Sequence, residues 1–230
     1  MRINKYLALE KHSTRRGADE LITKGMVFVN GQKAVLGQAV NEGDHVEVRY
    51  RSGKKKEWLY YAYYKPRGIV THSAGEGEQD INDVVNIKDV FPVGRLDKDS
   101  SGLIVLTNDG RITERLLSPE HEHEKEYVVT TKGKLRPNFK EKMEAGVKIG
   151  EEESTRECEV EILADKKFKV ILTEGKNRQI RRMCAALFQE VETLKRVRVM
   201  NIELGDLKEG EWRKIEGEEQ KVFLTALGLL

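Results

Sequence analysis

Three short segments carry the residues capable of chemistry. In Gly94-Arg95-Leu96-Asp97-Lys98-Asp99-Ser100-Ser101-Gly102, the Asp97 carboxylate falls in a turn. Val90, Phe91 and Val93 lead into the turn, and the apolar run Leu103 to Leu106 that follows reads as a buried strand. A carboxylate at a strand-loop junction, with Arg95 two residues before it, can be held toward a substrate. Gly, Asp and Ser are also ordinary turn residues, so taken alone the segment argues only for a turn. The second segment, Lys125-Glu126-Tyr127, places Lys125 and Tyr127 on one face of a strand. A tyrosine so placed can stack on a planar ring and offer a hydroxyl, although by itself it reads as a core residue. The third is Glu174 to Cys184, where Ile180, Met183, Cys184, Leu187 and Phe188 share a helical face. Arg178 and Arg182 point away from that face and are placed to meet phosphates, while Arg181 lies at its margin. A half-buried guanidinium is unfavourable without a partner, so Arg181 predicts a nearby carboxylate, with Asp97 the candidate.

Positioning these side chains requires a sheet with helices packed on it. From Trp58 the apolar density rises, and residues 59–64 read as a strand ended by Lys65-Pro66-Arg67-Gly68. Further strands are expected at 103–107, 126–131, 158–163, 167–173 and 197–204. Helices are expected at 111–117, 137–145, 177–188 and 219–228. The strands outweigh the helices and form no repeated βαβ units, so the body is α+β on a mixed, mainly antiparallel sheet.

The 230 residues suffice for one large domain or two small ones, and with 38% hydrophobic and 35% charged residues the chain reads as soluble and globular. No apolar run is long enough to span a bilayer, and the N-terminus lacks the apolar core of a signal peptide, so a cytoplasmic location is expected. Cys158 and Cys184 are too few for a disulfide framework or a zinc site and read as small hydrophobes. Charge is uneven: residues 1–57 carry a net +5 and residues 58–230 a net −3. A basic module attached to a larger body is the expectation.

That module reads as a helix at 2–9, a second at 15–24 capped by Ser13 or Thr14, Gly25 ending it left-handed, and a strand 27–29 turning at Asn30-Gly31. Arg2, Asn4, Lys5, Leu7, Arg15, Arg16, Leu21, Gly25 and Asn30-Gly31 together resemble the small RNA-binding domain first known from ribosomal protein S-four. Glu10-Lys11-His12 departs from the small turn such domains often have. The resemblance implies phosphate contacts from Arg2, Lys5, Arg15, Arg16 and Lys24, which give salt-sensitive affinity rather than sequence reading. Domains are expected at 1–50 and 58–230, joined by a basic linker at 51–57.

Taken with Lys65-Pro66-Arg67-Gly68, Leu194-Lys195-Arg196 and Gly210-Glu211-Trp212-Arg213, the three segments resemble bacterial ribosomal RNA pseudouridine synthases of the RsuA type, and within them the large-subunit branch. The sequence ends short of the long basic tail that some members carry. The resemblance implies that a specific uridine in ribosomal RNA, large-subunit RNA favoured, is isomerised to pseudouridine. Asp97 would be the essential carboxylate, attacking the ribose or the base or removing a ribose proton. Arg181 would pair with it, and Tyr127 would stack on the uracil and exchange a proton. Base flipping is expected, with Arg95 filling the gap or holding the flipped phosphate. Lys125, Arg178 and Arg182 are further candidate RNA contacts. No metal and no organic cofactor are expected, since the reaction is a net isomerisation. A monomer with no membrane partner is the default. The alternatives are a tRNA-directed or dual enzyme, or a non-catalytic RNA-binding ribosome-assembly factor.

Overall fold

A computed structural model describes residues 1–10, 15–49 and 57–230. The expected linker, apart from Glu57, and the expected caps Ser13 and Thr14 lie outside the described residues, as do the side chains of Arg15 and Arg16. The chain divides into two compact units, Met1–Trp58 and Leu59–Leu230.

In the first unit, helices α1 (Ile3–Leu9) and α2 (Arg15–Thr23) pack over a three-stranded antiparallel sheet ordered β2-β1-β3, with β1 Val27–Val29, β2 Gln32–Lys33 and β3 Val46–Val48. Ile3, Leu7, Ala18, Ile22, Val27 and Val29 form most of the core, as the helical and alternating spacings require. The Asn30-Gly31 turn has both residues at positive φ, 51° and 81°, matching the twist of the flanking strands. Asn4 donates to Asp19 at 3.0 Å and ties the two helices together.

The second unit is built on a nine-stranded mixed sheet. Its path is β12-β4-β6-β10-β7-β9-β8, with β5 also on β6 and β11 also on β10. The strands are β4 (Tyr60–Lys65), β5 (Phe91–Val93), β6 (Ser101–Thr107), β7 (Lys125–Thr131), β8 (Glu159–Ala164), β9 (Lys167–Leu172), β10 (Val191–Val199), β11 (Ile202–Glu203) and β12 (Trp212–Lys214). Every residue of β4 and β6 is buried, as the apolar runs 60–64 and 103–106 demand, and the polar Lys65, Ser101 and Thr107 at their ends are buried with them. β6 and β10 run parallel and join two antiparallel halves. Helices α5 (Phe139–Glu144) and α6 (Gln179–Ala186) lay Phe139, Met143, Ile180, Met183 and Cys184 on Val129, Phe168, Val170 and Leu194. Cys184 is a buried hydrophobe of that core. Helices α3 (Ile81–Val84), α4 (Arg111–Leu117) and α7 (Gly217–Ala226) complete the unit. No helix of the described residues is long and apolar enough to cross a membrane.

Two expectations are corrected. The strand expected at 197–204 is a hairpin: Met200 turns at φ 52°, and Ile202 pairs back with Val199. The helix expected at 177–188 is shorter at both ends. Arg178 is left-handed at φ 46°, and Phe188, at φ 59°, closes the far end while Gln189 N–H donates to the Cys184 carbonyl at 2.8 Å.

Candidate active site

Asp97 sits where the chain leaves β5 and before it enters β6. Gly94 makes the exit turn at φ 78°, Leu96 is buried and anchors the loop, and Ser100 N–H donates to the Asp97 carbonyl at 3.0 Å. A second loop clamps this one. The buried Thr71 hydroxyl donates to the Leu96 carbonyl at 2.7 Å and accepts from its N–H at 3.0 Å, and Gly68 N–H donates to the Lys98 carbonyl at 2.8 Å. With its neighbour's amide bonded on both sides, Asp97 cannot shift without breaking buried bonds. The loops frame a cavity of about 500 Å3 whose charged lining is Arg67, Arg95, Asp97, Lys98, Asp99 and Arg178. Four cations against two carboxylates give the lining a net positive charge, with Lys98 paired to Glu78 at 2.7 Å and Arg178 to Asp99 at 3.1 Å.

The arginines do not pair as expected. The nearest carboxylate to Arg181 is Asp99, at 3.2 Å, and its Nη2 also donates to the Asp99 carbonyl at 3.0 Å and to Ser100 Oγ at 3.3 Å. Arg178 bonds both oxygens of Asp99, at 3.3 and 3.1 Å, and lies 3.5 Å from Asp97 Oδ2. Helical periodicity placed Arg178 one residue inside the helix, whereas its left-handed conformation swings it over the Asp97 loop. Arg182 is bound to Glu153 and to the Ile149 carbonyl, so its guanidinium is committed within the protein. Burial lowers the pKa of Arg181, opposed chiefly by Asp99. Burial would raise the carboxyl of Asp99, but the Arg178 hydrogen bond and the charges of both arginines outweigh it and hold the group below its ordinary range.

Lys125 is also corrected. It is buried, and its ammonium donates to the His123 carbonyl at 2.8 Å, so it faces the interior rather than an RNA backbone. Tyr127, on the same face, is partly buried against the α5–α6 core, and its hydroxyl has no hydrogen-bond partner among the described residues. Strand register relates it to Asp97. Lys65 of β4, Gly102 of β6, Arg196 of β10 and Tyr127 of β7 lie in one cross-strand row. Tyr127 is thus two strands, roughly 10 Å, from the strand that Asp97 feeds. Arg95 is exposed at the rim of the cavity. Arg2, Lys5 and Lys24 are exposed on the first unit, Lys24 lying 3.5 Å from Glu20. Among the described residues no group of three His, Cys, Asp or Glu side chains comes together to hold a metal ion.

Sequence reasoning missed Thr71 and Lys65. Thr71 carries no local signal, since its partner lies in another loop. Lys65 appeared only as part of the turn segment, yet it is fully buried, with Nζ donating to the carbonyls of Pro66 at 2.8 Å and Ile69 at 2.7 Å. Burial brings its pKa down to about 8, with Asp97 and Asp99 pulling upward and Arg196 adding to the depression. Burial and Arg196 likewise bring Lys125 to about 8. Between this value and the 10.5 of an ordinary lysine, the unfolded chain binds more protons than the folded one, so these groups make stability rise with pH. We expect the urea midpoint to climb between pH 8 and about 9.5 through these two lysines, and Lys65→Met to remove about half of that climb. An unchanged climb in Lys65→Met would reject the assignment.

Asp97 thus stands in a cation-lined cavity on a mixed sheet that also carries Tyr127 and Arg196, and the comparisons with known proteins give this arrangement its class, an RNA-modifying isomerase. Residues 59–186 match the RNA pseudouridylate synthase family, residues 1–46 match the S4 domain, and the chain belongs to that synthase family, which isomerises uridine to pseudouridine. Among its relatives is the Escherichia coli K12 dual-specificity RNA pseudouridine synthase RluF, 42% identical over 95% of this chain and 77% of the relative. Another is the Bacillus subtilis ribosomal large subunit pseudouridine synthase B, 36% identical over 96% of this chain and 94% of the relative. A crystal structure of a pseudouridylate synthase is similar over 99% of both chains, with a TM-score of 0.72 and 28% identity.

Proposed function

We propose that this protein isomerises a uridine of ribosomal RNA, large-subunit RNA favoured, with Asp97 as the essential carboxylate. The observation that carries the reading is Asp97 held by its loop clamp in the cation-lined cavity. The uridine is flipped from its stack into the cavity, where Arg95 and Arg178 take phosphate. Asp97 acts on the ribose or the base, the glycosidic bond to N1 breaks, the uracil rotates, and C5 is joined to the ribose. The C5 hydrogen leaves and N1 gains a hydrogen, so no redox partner is needed. Tyr127 stacks on the uracil, and Arg181 is the cation that steadies Asp97 during the reaction. A relative is named for dual specificity, and tRNA is carried as the second candidate substrate beside ribosomal RNA. Residues 1–50 form the RNA-anchoring domain, 51–57 the linker and 58–230 the catalytic domain of a cytoplasmic monomer.

The reading is tested by release of tritium from RNA labelled at uracil C5, comparing large-subunit RNA, small-subunit RNA and tRNA. Release from large-subunit RNA is the expected result, and silence on every RNA would defeat it. Deleting residues 1–50 is expected to raise KM about tenfold or more at physiological salt, because several phosphate contacts are lost, while kcat at saturating RNA is kept. Unchanged KM would remove the anchoring role.

A further inference from the structure

Asp99 has no part in the reading above, yet it is bonded more heavily than Asp97. Arg178 meets it with both terminal nitrogens, at 3.3 Å to Oδ1 and 3.1 Å to Oδ2, the fork geometry that a guanidinium also uses on a phosphate. Arg181 reaches the same carboxylate at 3.2 Å and the same residue's carbonyl at 3.0 Å. Asp97 receives only the longer 3.5 Å approach of Arg178. Two arginines therefore converge on one carboxylate at the edge of the cavity that holds Asp97.

These arginines are not equally settled. The Arg178 side chain is 45% exposed and free to be drawn outward. Arg181 is 13% exposed, and its buried Nε has no acceptor among the described residues. A buried donor left open favours any arrangement that bonds it. Arg181 thus keeps one donor open in this setting while its Nη2 is bonded to Asp99 and Ser100.

The geometry points to Asp99 as a positioning residue that occupies, in the free protein, the place a substrate phosphate takes in the complex. The inference rests on the uridine-isomerising reading of this site. Before RNA arrives, Asp99 keeps the Arg178 fork open at the rim and holds Arg181 away from Asp97. When a backbone phosphate enters, its oxygens replace those of Asp99 as acceptors for Arg178. Asp97 then loses its 3.5 Å partner, and Arg181, with its open donor, is the cation left to face it. No covalent bond is made or broken in this exchange. It couples RNA engagement to the setting of the catalytic carboxylate.

The test uses the full chain with Asp99→Asn, and Asp99→Glu as the variant that restores charge. Equilibrium binding of a large-subunit RNA fragment, single-turnover tritium release and melting temperature are measured for each. Asp99→Asn is expected to bind RNA about threefold to fivefold more tightly, because Arg178 no longer has to leave a carboxylate. Its single-turnover rate at saturating RNA is expected to stay within about threefold of wild type, because in the complex phosphate has already replaced the carboxylate on Arg178 and nothing then holds Arg181 away from Asp97. Asp99→Glu is expected to bring affinity back toward the wild-type value. Unchanged affinity, or affinity and rate falling together with the melting temperature, would overturn the inference, since that is how a purely structural carboxylate behaves. If wild type shows no turnover on any RNA, the uridine reading fails, and the binding comparison still decides Asp99: tighter binding supports it and unchanged binding rejects it.

Discussion

Asp97→Asn is expected to lower tritium release by about 10⁴-fold or more, the scale reached when a group acting on the reacting bond is removed. Folding should be spared. The Asp97 side chain is 34% exposed, and its ion-pair contact among the described residues is the 3.5 Å approach of Arg178. An exposed pair of that kind contributes at most about 1 kcal/mol. The loop is held instead by Thr71 and by the backbone bonds from Gly68 and Ser100, none of which involves the Asp97 carboxylate. RNA affinity should hold or rise, since the change removes a negative charge from a cation-lined cavity. Circular dichroism, anisotropy binding and the release assay on one preparation check all three expectations. Turnover within tenfold of wild type would end the case for Asp97 as the essential carboxylate.

The second large effect concerns stability. Gly102 has φ +114°, and a Cβ there would stand 2.2 Å from the Arg196 carbonyl oxygen and 2.6 Å from its nitrogen. Both obstacles are backbone atoms, so no side chain can swing aside. The contact lies in the parallel β6–β10 pairing, where Gly102 faces Arg196, and Arg196 is itself fixed by its Nε donating to the Leu103 carbonyl at 2.7 Å. Relief would require the two antiparallel halves of the sheet to part. Gly102→Ala is expected to cost about 3 kcal/mol or more through overpacking and backbone strain. That corresponds to a melting temperature lower by roughly 10 °C in a unit of this size. Gly133→Ala, with no atom within 4 Å of its added Cβ, should melt within about 2 °C of wild type. Equal melting of the two variants would show that the close approach does not constrain the sheet.

Much of the local structure was legible because it is written in short-range periodicity. The alternating and continuous apolar runs located β4, β6, β7, β8 and β9, and the 3.6-residue spacing located α4, α5 and α7. Asn30-Gly31 and Gly25 took the positive φ that their types favour. Legibility failed where conformation depended on distant partners. The β12 segment is three residues long and holds its place by pairing with β4, so its sequence carries too few positions to show a period. The expected strand at 197–204 hid a turn because Val197, Val199 and Ile202 are good strand residues on both sides of Met200. Arg178 was misplaced because its left-handed backbone is not a property that an arginine advertises.

By itself the sequence determined the chemistry on offer: an aspartate in a fixed turn, a tyrosine on a strand face and a run of arginines opening a helix. It also determined the apolar patterns that oblige a sheet to form beneath them. Only the tertiary structure decided which carboxylate each arginine meets. It alone placed Lys65, Gly102, Arg196 and Tyr127 in one row and set the Thr71 clamp behind Asp97. The reason is physical. Side-chain type and local spacing act through neighbours in the chain, whereas these partnerships arise from strand pairing and loop contact between residues far apart in sequence, which leave no local period to read.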